Sequence, residues 1–390
     1  MSTNIAIEQI GKVCTGCEAC VSGCPQKALT MKMDGEGFFY PVVDDKQCTR
    51  CGLCEKLCPV ATPQRVSRNP LPENVWAGSH LEKETRLASA SGGAFSAIVE
   101  QVKPDAVYGT AWIAPDSAAV IRTAPEDMAP LRNSKYVQSR VDDAYQKVKQ
   151  DLAQGKTVLF SGTPCQIGGL LAFLGKRTEN LVTVEIICHG AASPGVFQDY
   201  LLQIARRAGK KVKSYVFREK HTSRGEWEAF HTAIRYDDGT VQRTYFDPFT
   251  HLFLSKRILR PSCATCPYSG MDAHAADIII GDYWGCNEYN PELYEKTGVS
   301  VVLALTWQGR EIVTGLSDVM HGKEVPLASV TANNKTLLAP RPAPQNQRDE
   351  FFEFMRVKGS EAAFAKFAIR PTWKQRLKPY LRSVVRRFRG

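Results

Sequence analysis

Two rhythms of apolar positions run through the middle of the chain. Short β-rich runs, TVLF (157–160), LVTVEII (181–187) and DIII (277–280), are bounded by polar and turn residues. Between them AFSAIVEQV (94–102) and GVFQDYLLQIARRAG (195–209) repeat apolar positions at helical spacing. This alternation, from residue 75 to 335, predicts an α/β domain. ATPQRVSRNPLPEN (61–74) and LAPRPAPQNQ (338–347) interrupt it with Pro, Asn and Arg and read as linkers. The expected plan is a cysteine-dense module over 1–62, a linker over 63–74 and the α/β domain over 75–335. A second linker over 336–347 and a helical segment over 348–390 complete it.

Composition narrows the class. At 390 residues, 43% hydrophobic and 23% charged, the chain has material for two or three domains with real cores. Of its net charge of +10, seven units lie in residues 371–390, which contain no acid. The basic character belongs to the end of the chain, so a general nucleic-acid-binding surface is not supported. The N-terminus has no basic stretch leading into an apolar one, and no run reaches the roughly 18 apolar residues that span a bilayer. A cytoplasmic location is expected. In the basic end, Trp373, Leu377, Leu381, Val384, Val385 and Phe388 fall at helical spacing among arginines and lysines, with Pro379 as a kink. That fits peripheral contact of 371–390 with the inner face of the membrane; a docked helix or a disordered basic tail is the alternative.

Thirteen cysteines in such a chain point to metal or redox chemistry rather than disulfides. CTGCEACVSGCP supplies Cys14, Cys17, Cys20 and Cys24, and CTRCGLCEKLCP supplies Cys48, Cys51, Cys54 and Cys58. Each is the C-x2-C-x2-C-x3-C-P run of a bacterial-type two-cluster ferredoxin, in which the fourth cysteine ligates the neighbouring cluster. One [4Fe–4S] cluster is therefore assigned to Cys14, Cys17, Cys20 and Cys58, and a second to Cys48, Cys51, Cys54 and Cys24. Zinc sites space their cysteines in separated pairs rather than in two identical runs. The expected fold of the module is α+β and ferredoxin-like. It moves single electrons, so another part of the chain should use them.

Five cysteines remain: Cys165, Cys188, Cys263, Cys266 and Cys286. Cys165 follows Thr163, a helix cap, and Pro164, a first helical residue, so it falls in a first turn where the helix terminus favours thiolate. Cys188 ends an apolar strand, and Cys263 and Cys266 form a C-x2-C pair. Together they allow a third metal site. Equally open are a buried Cys188, half a zinc site or a dithiol at Cys263 and Cys266, and a nucleophilic Cys165 with His189 as its base. Cys286 has no partner left and reads as packing.

The pieces SGGAF (91–95), SKYVQS (134–139), SGTPCQIGGL (161–170), ICHGAASPGVF (187–197), RPSCATCPYSG (261–270) and ADIIIGDYWG (276–285) occur in an order that resembles a known family. It is the beta subunit of the coenzyme F420-reducing hydrogenase/dehydrogenase family, here with a fused two-cluster ferredoxin. The resemblance implies FAD and one further [4Fe–4S] cluster in the α/β domain. It places that third cluster on Cys165, Cys188, Cys263 and Cys266.

No G-x-G-x-x-G follows a strand, so no Rossmann site for FAD is argued. Ser91, Gly92 and Gly93 open a helix and suit a diphosphate, or form a plain cap; the resemblance favours the first. Ser134, Lys135 and Tyr136 match a family loop near the flavin, with Lys135 toward a reduced flavin or an acidic substrate group. Asp282 and Trp284 follow the strand DIII at the functional edge of the sheet. His189 is expected to orient the cluster or relay a proton, or to be structural. Lys135 and His189 are thus the candidate catalytic residues. The expected activity is that of an iron–sulfur flavoprotein oxidoreductase. It would relay single electrons between a ferredoxin-like or other redox partner and FAD. A small organic substrate, the deazaflavin coenzyme or a polysaccharide-pathway intermediate, would exchange two. A non-catalytic electron-transfer subunit of a larger complex and a cluster-based redox sensor are the alternatives.

Overall fold

Strands that read as short apolar runs lie at the centre of one sheet. The computed structural model describes residues 6–220, 231–344 and 346–368. The basic end, 371–390, lies outside the described residues. In chain order the strands are β1 (Leu29–Met33), β2 (Phe39–Val43), β3 (Asn74–His80), β4 (Ala106–Ala114), β5 (Ser117–Thr123), β6 (Val158–Gly162) and β7 (Leu181–Ile186). They continue with β8 (Val212–Glu219), β9 (His231–Tyr236), β10 (Val241–Thr244), β11 (Ile278–Asp282), β12 (Ser300–Ala304) and β13 (Met320–Pro326). Eight of them form a mixed sheet in the order β13-β3-β12-β11-β7-β6-β4-β5. Its middle, β4, β6, β7 and β11, is parallel, and antiparallel strands finish both sides.

The parallel centre explains the sequence pattern. Both faces are covered, so alternate residues enter different cores. Val158 and Phe160 join one apolar cluster with Tyr145, Ile167 and Leu170, while Leu159 joins another with Ile98 and Leu316. Helices Ala144–Ala153 and Pro164–Leu174 make the crossovers β4 to β6 and β6 to β7. Helix Pro164–Leu174 opens as its sequence requires: Thr163 caps it, Pro164 leads it, and the Thr163 N–H donates to Gln166 Oε1 at 3.0 Å. Ser193 caps helix Pro194–Ala208 by accepting from the Val196 N–H at 3.1 Å. The carboxyl ends of β6, β7 and β11 therefore meet at one edge, which is where an open α/β sheet builds its site.

The segment between β7 and β11 carries a small antiparallel sheet, β10-β9-β8, and the loop with Cys263 and Cys266. Its core, built on Phe197, Tyr215, Phe217 and Phe249, also takes in Phe351, Phe352 and Phe364. These come from the helices Gln347–Lys358 and Ser360–Phe367, so this part of the expected C-terminal segment is packed into the body.

The cysteine-rich module is not a bead on a string. Its hairpin β1–β2 and short helices hold a small core of Ile7, Cys20, Leu29 and Cys58. Cys17 and Ala19 belong instead to the core under helix Pro164–Leu174, and Phe38 to that of the C-terminal helices. The segment expected as a linker is docked as well. Val66 and Leu71 are buried, Arg65 donates to the Ala172 carbonyl, and Asn69 bridges to His274. A buried carboxylate fastens the seam: Glu18 accepts from Arg140 Nε at 2.7 Å, from the Val141 N–H at 3.1 Å and from the Asp142 N–H at 3.2 Å. Removing one partner of a buried pair costs about 3 kcal/mol where the other retains some solvent. Glu18→Ala is expected to lower unfolding free energy by about that amount, measured by denaturant titration of the iron-loaded chain against wild type.

Candidate functional site

The two cysteine runs fold alike. In each, a short helix, Ala19–Ser22 or Leu53–Lys56, follows a residue in the left-handed region, Glu18 (φ 62°) or Gly52 (φ 72°). In each, the first sulfur accepts an N–H two residues on at 3.4 Å: Gly16 to Cys14 Sγ, and Arg50 to Cys48 Sγ. Cys14, Cys17, Cys20 and Cys58 line one cavity together with Met31 and Pro41. Burial pushes the Cys17, Cys20 and Cys58 thiols up, and the charges of others in the set push further. Cys54 is raised by burial and by Cys24 and Cys48, while Cys51 is exposed. The donor set suits a four-iron cube: soft sulfurs, grouped and largely dry, with backbone N–H groups aimed at two of them.

At the carboxyl edge of the sheet Cys165, Cys188, Cys263 and Cys266 come within reach of one another's charge. Burial raises Cys188, and Cys263, Cys165 and Cys266 raise it further. Burial raises Cys266 to about 12, with Cys165 adding to it. The Ala191 N–H lies 3.5 Å from Cys263 Sγ, and Thr163 Oγ1 lies 3.2 Å from Cys165 Sγ. One expectation is corrected here. The helix terminus was to favour thiolate at Cys165, but burial outweighs it and pushes that thiol up to about 11. A half-buried set of mutually repelling sulfurs becomes fully thiolate when cations join it. Among the described residues no three His, Cys, Asp or Glu side chains stand close enough to hold a single ion. A cube, whose irons occupy separate corners, spaces its thiolates more widely.

Cys17 of the first set meets the helix that carries Cys165 across one glycine. Gly169 lies one turn beyond Cys165, and a Cβ there would stand 2.8 Å from Cys17 Cβ and 3.1 Å from its sulfur. Each set thus abuts the same helix. Cys286 is fully buried among Tyr283, Leu293 and Val330, apart from both.

The residues expected at the flavin divide. Tyr136, Asp282 and Trp284 converge, and the residue that gathers them is Arg218 of β8. It donates to Asp282 Oδ2 at 2.6 Å, and its Cζ lies 5.3 Å from the Trp284 ring. Its charge is further favoured by Tyr136. Asp282 Oδ1 is shielded and has no hydrogen-bond partner among the described residues. Tyr136 stacks on Phe253 at 4.4 Å, and Phe253 meets the His189 ring at 5.0 Å, so aromatic packing runs from Cys188 to Arg218. Burial lowers the His189 pKa, which favours neutral imidazole. Tyr283 turns away into the core, bonded to Asn290 and Ser329.

Lys135 does not reach this group with a free ammonium. Its Nζ donates to the carbonyls of Pro130, Arg132 and Asn133 at 2.9, 2.6 and 3.2 Å, and burial lowers its pKa to about 7. Ser134 sits beside it, half-buried. The turn Ser91–Gly93 is tied from outside the sequence motif. Lys220 Nζ donates to the carbonyls of Arg86, Ser91 and Thr297, all at 2.5–2.6 Å, with its pKa lowered to about 7 by burial and by Arg218. The Gly92 N–H is taken by Ser300 Oγ at 2.8 Å, and a Cβ on Gly92 would strike the backbones of β3 and β12. Gly93, at φ 96°, starts helix Ala94–Val102. Arg218 and Lys220 were not singled out from sequence. Their signal was the run SYVFREK (214–220), three charges closing an apolar strand.

Comparison with known proteins supports the family resemblance. Residues 155–325 match the family described as the C terminus of the coenzyme F420 hydrogenase/dehydrogenase beta subunit, and residues 13–62 match the 4Fe-4S dicluster domain. The chain thus carries both domains. The ketoisovalerate oxidoreductase subunit VorC of Methanothermobacter marburgensis is 38% identical over 48 residues, 12% of this chain and 61% of that protein's length. A chain of the F420-reducing [NiFe] hydrogenase complex from Methanosarcina barkeri aligns over 75% of this chain and 94% of its own, at 18% identity and a TM-score of 0.47. Among the described residues no helix is long and apolar enough to cross a membrane.

Because a side chain at position 169 would press on Cys17 and on the Tyr145 hydroxyl, Gly169→Ala is expected to cost about 1–3 kcal/mol of stability. A thermal or denaturant midpoint equal to wild type would show that the two cysteine sets are not held this closely.

Proposed function

We propose that the chain is an iron–sulfur flavin oxidoreductase that exchanges single electrons with a ferredoxin-like partner and electron pairs with a small organic substrate. The observation that carries this reading is the seating of Cys17 on the helix whose first turn holds Cys165, with the other cysteines of the first and third sets grouped on either side. When bound, four-iron clusters carry one electron each, and a flavin converts between one-electron and two-electron transfer.

The chain's own residues do the rest. Cys51, exposed, marks the end of the module open to a partner. Cys14, Cys17, Cys20 and Cys58 hold one cluster, Cys24, Cys48, Cys51 and Cys54 another, and Cys165, Cys188, Cys263 and Cys266 the third. Gly169 sets how near the first and third sets stand. His189, Phe253 and Tyr136 fill the space beyond Cys188 with packed rings, which excludes water there. Arg218, Asp282 and Trp284 would receive the flavin ring, with Arg218 favouring negative charge on it. Ser91 and Gly93, on a turn that Lys220 and Ser300 fix through Ser91 and Gly92, would meet its diphosphate at the start of helix Ala94–Val102. Lys135, held by three carbonyls, acts as a brace for the loop that presents Tyr136. The same cysteine grouping would serve an electron-transfer subunit that hands electrons to a separate catalytic chain.

Anaerobic purification with iron, sulfide and flavin counted per chain tests the reading. Three clusters give about 12 irons and two give about 8; the expected count is near the former, with one flavin. A count near the latter without flavin would rule the reading out. Cys165→Ala is expected to lose about four irons and keep the N-terminal pair. Full iron with lost activity would return Cys165 to the role of nucleophile. Turnover of an added acceptor by the isolated chain separates the enzyme from the electron carrier.

A further inference from the structure

The largest fully buried side chain among the described residues is a cation, Arg260, 1% exposed. Its Nε donates to the Cys14 carbonyl at 2.7 Å. Its Nη1 donates to the Phe39 carbonyl at 3.0 Å and to Gln138 Oε1 at 3.1 Å. All three acceptors are neutral. Its Nη2 has no hydrogen-bond partner, and no carboxylate pairs with it among the described residues. Arg140, Arg177, Arg218 and Arg348 each have such a carboxylate. The Tyr40 ring lies 4.0 Å from the Arg260 Cζ, which supplies a polarisable face but no counter-charge. A charge buried without an opposite charge is strongly unfavourable, so something anionic must face it.

Its surroundings name that anion. On one side Arg260 holds the loop of the first cysteine set: besides the Cys14 carbonyl, its Cζ would stand 3.2 Å from a Cβ on Gly16. On the other side Cys263 follows three residues later, its N–H bonded to the Arg260 carbonyl at 3.0 Å. The residue thus spans the two sets, its guanidinium held against the Cys14 loop and its backbone against the Cys263 loop. With neutral partners only, that guanidinium is placed to serve both.

We propose that Arg260 is the shared counter-cation of these two cysteine sets when they hold clusters, a positioning residue that favours the added electron on each and keeps their potentials close. The proposal rests on the reading of both sets as cluster ligands. A thiolate-bound cube is a net anion and becomes more negative on reduction, so a fixed cation between two of them raises both potentials. With no carboxylate beside it, the charge is not cancelled. The planar fork, bonded at Nε and Nη1, keeps it from swinging toward either side.

Redox titration of the iron-loaded full chain, followed by electron paramagnetic resonance, reads the effect as one-electron midpoints. Arg260→Gln is expected to lower both. At fixed potential the reduced-to-oxidised ratio should fall about tenfold, which is 59 mV for one electron. Arg260→Lys, which keeps the charge, should stay near wild type. Gln138→Glu leaves the fork in place and sets a carboxylate on it, and should also lower both midpoints. Should Arg260→Gln not take up iron, Gln138→Glu carries the test. Unmoved midpoints in an iron-loaded Gln138→Glu or Arg260→Gln chain overturn the proposal. So does an Arg260→Lys chain that falls as far as Arg260→Gln, since the fork would then be structural only. A wild-type count near eight irons overturns the third set as a cluster site, and the shared role with it. A full count with unmoved midpoints overturns the role of Arg260 alone.

Discussion

A cysteine seated on a glycine joins the two halves of this molecule. Cys17 can lie against helix Pro164–Leu174 only because position 169 has no side chain. Everything along the seam follows from holding that contact. Glu18, the next residue, is driven under the surface and must find donors there, which Arg140 and the backbone of 141–142 supply. Gln146 reaches the Ser22 carbonyl, and Arg65 closes over the far end of the same helix at the Ala172 carbonyl. A separate ferredoxin module would need none of these polar side chains at these places. Their presence marks the module as part of the protein's interior rather than as an attached carrier.

Much of the frame was legible in the sequence because it is local. The duplicated cysteine run, the Thr163-Pro164 start of a helix and the apolar runs that became β6, β7 and β11 depend on neighbours within a few residues. What escaped depends on residues far apart. Arg218 and Asp282 are 64 positions apart, and Arg260 and Cys14 are 246 apart, so no spacing announces either contact. The ionisation of Cys165 escaped for the same reason. A helix terminus can be read from sequence, whereas the burial that overrides it is a property of the whole fold. Lys135 was visible as a charge in a loop; that its charge is absorbed by three nearby carbonyls was not.

Two arginines are fully buried among the described residues, and they differ. Arg218 pairs with a carboxylate, as the less buried Arg140, Arg177 and Arg348 also do. Lys135 and Lys220, half-buried, are held by carbonyls, and their pKa values are lowered. Arg260 does neither, because guanidinium does not give up its proton and no carboxylate is supplied. Its guanidinium stands against the loop of Cys14, where a carboxylate would add to the repulsion that the thiols already face.

The clasp at the far side of the module has a consequence for how the chain is made. Glu36, on the turn between β1 and β2, is gripped by Arg348, and Phe38 packs against Phe352. More than three hundred residues separate these partners. During synthesis the turn that carries Glu36 and Phe38 therefore waits for residues 347–367 before its final contacts form. The cysteine runs, local in sequence, can gather their ligands early, but the wall behind Phe38 stays open until residues 347–367 arrive. Gathering of the N-terminal cysteines and closure of the wall behind them are thus separated in time by the synthesis of the residues between.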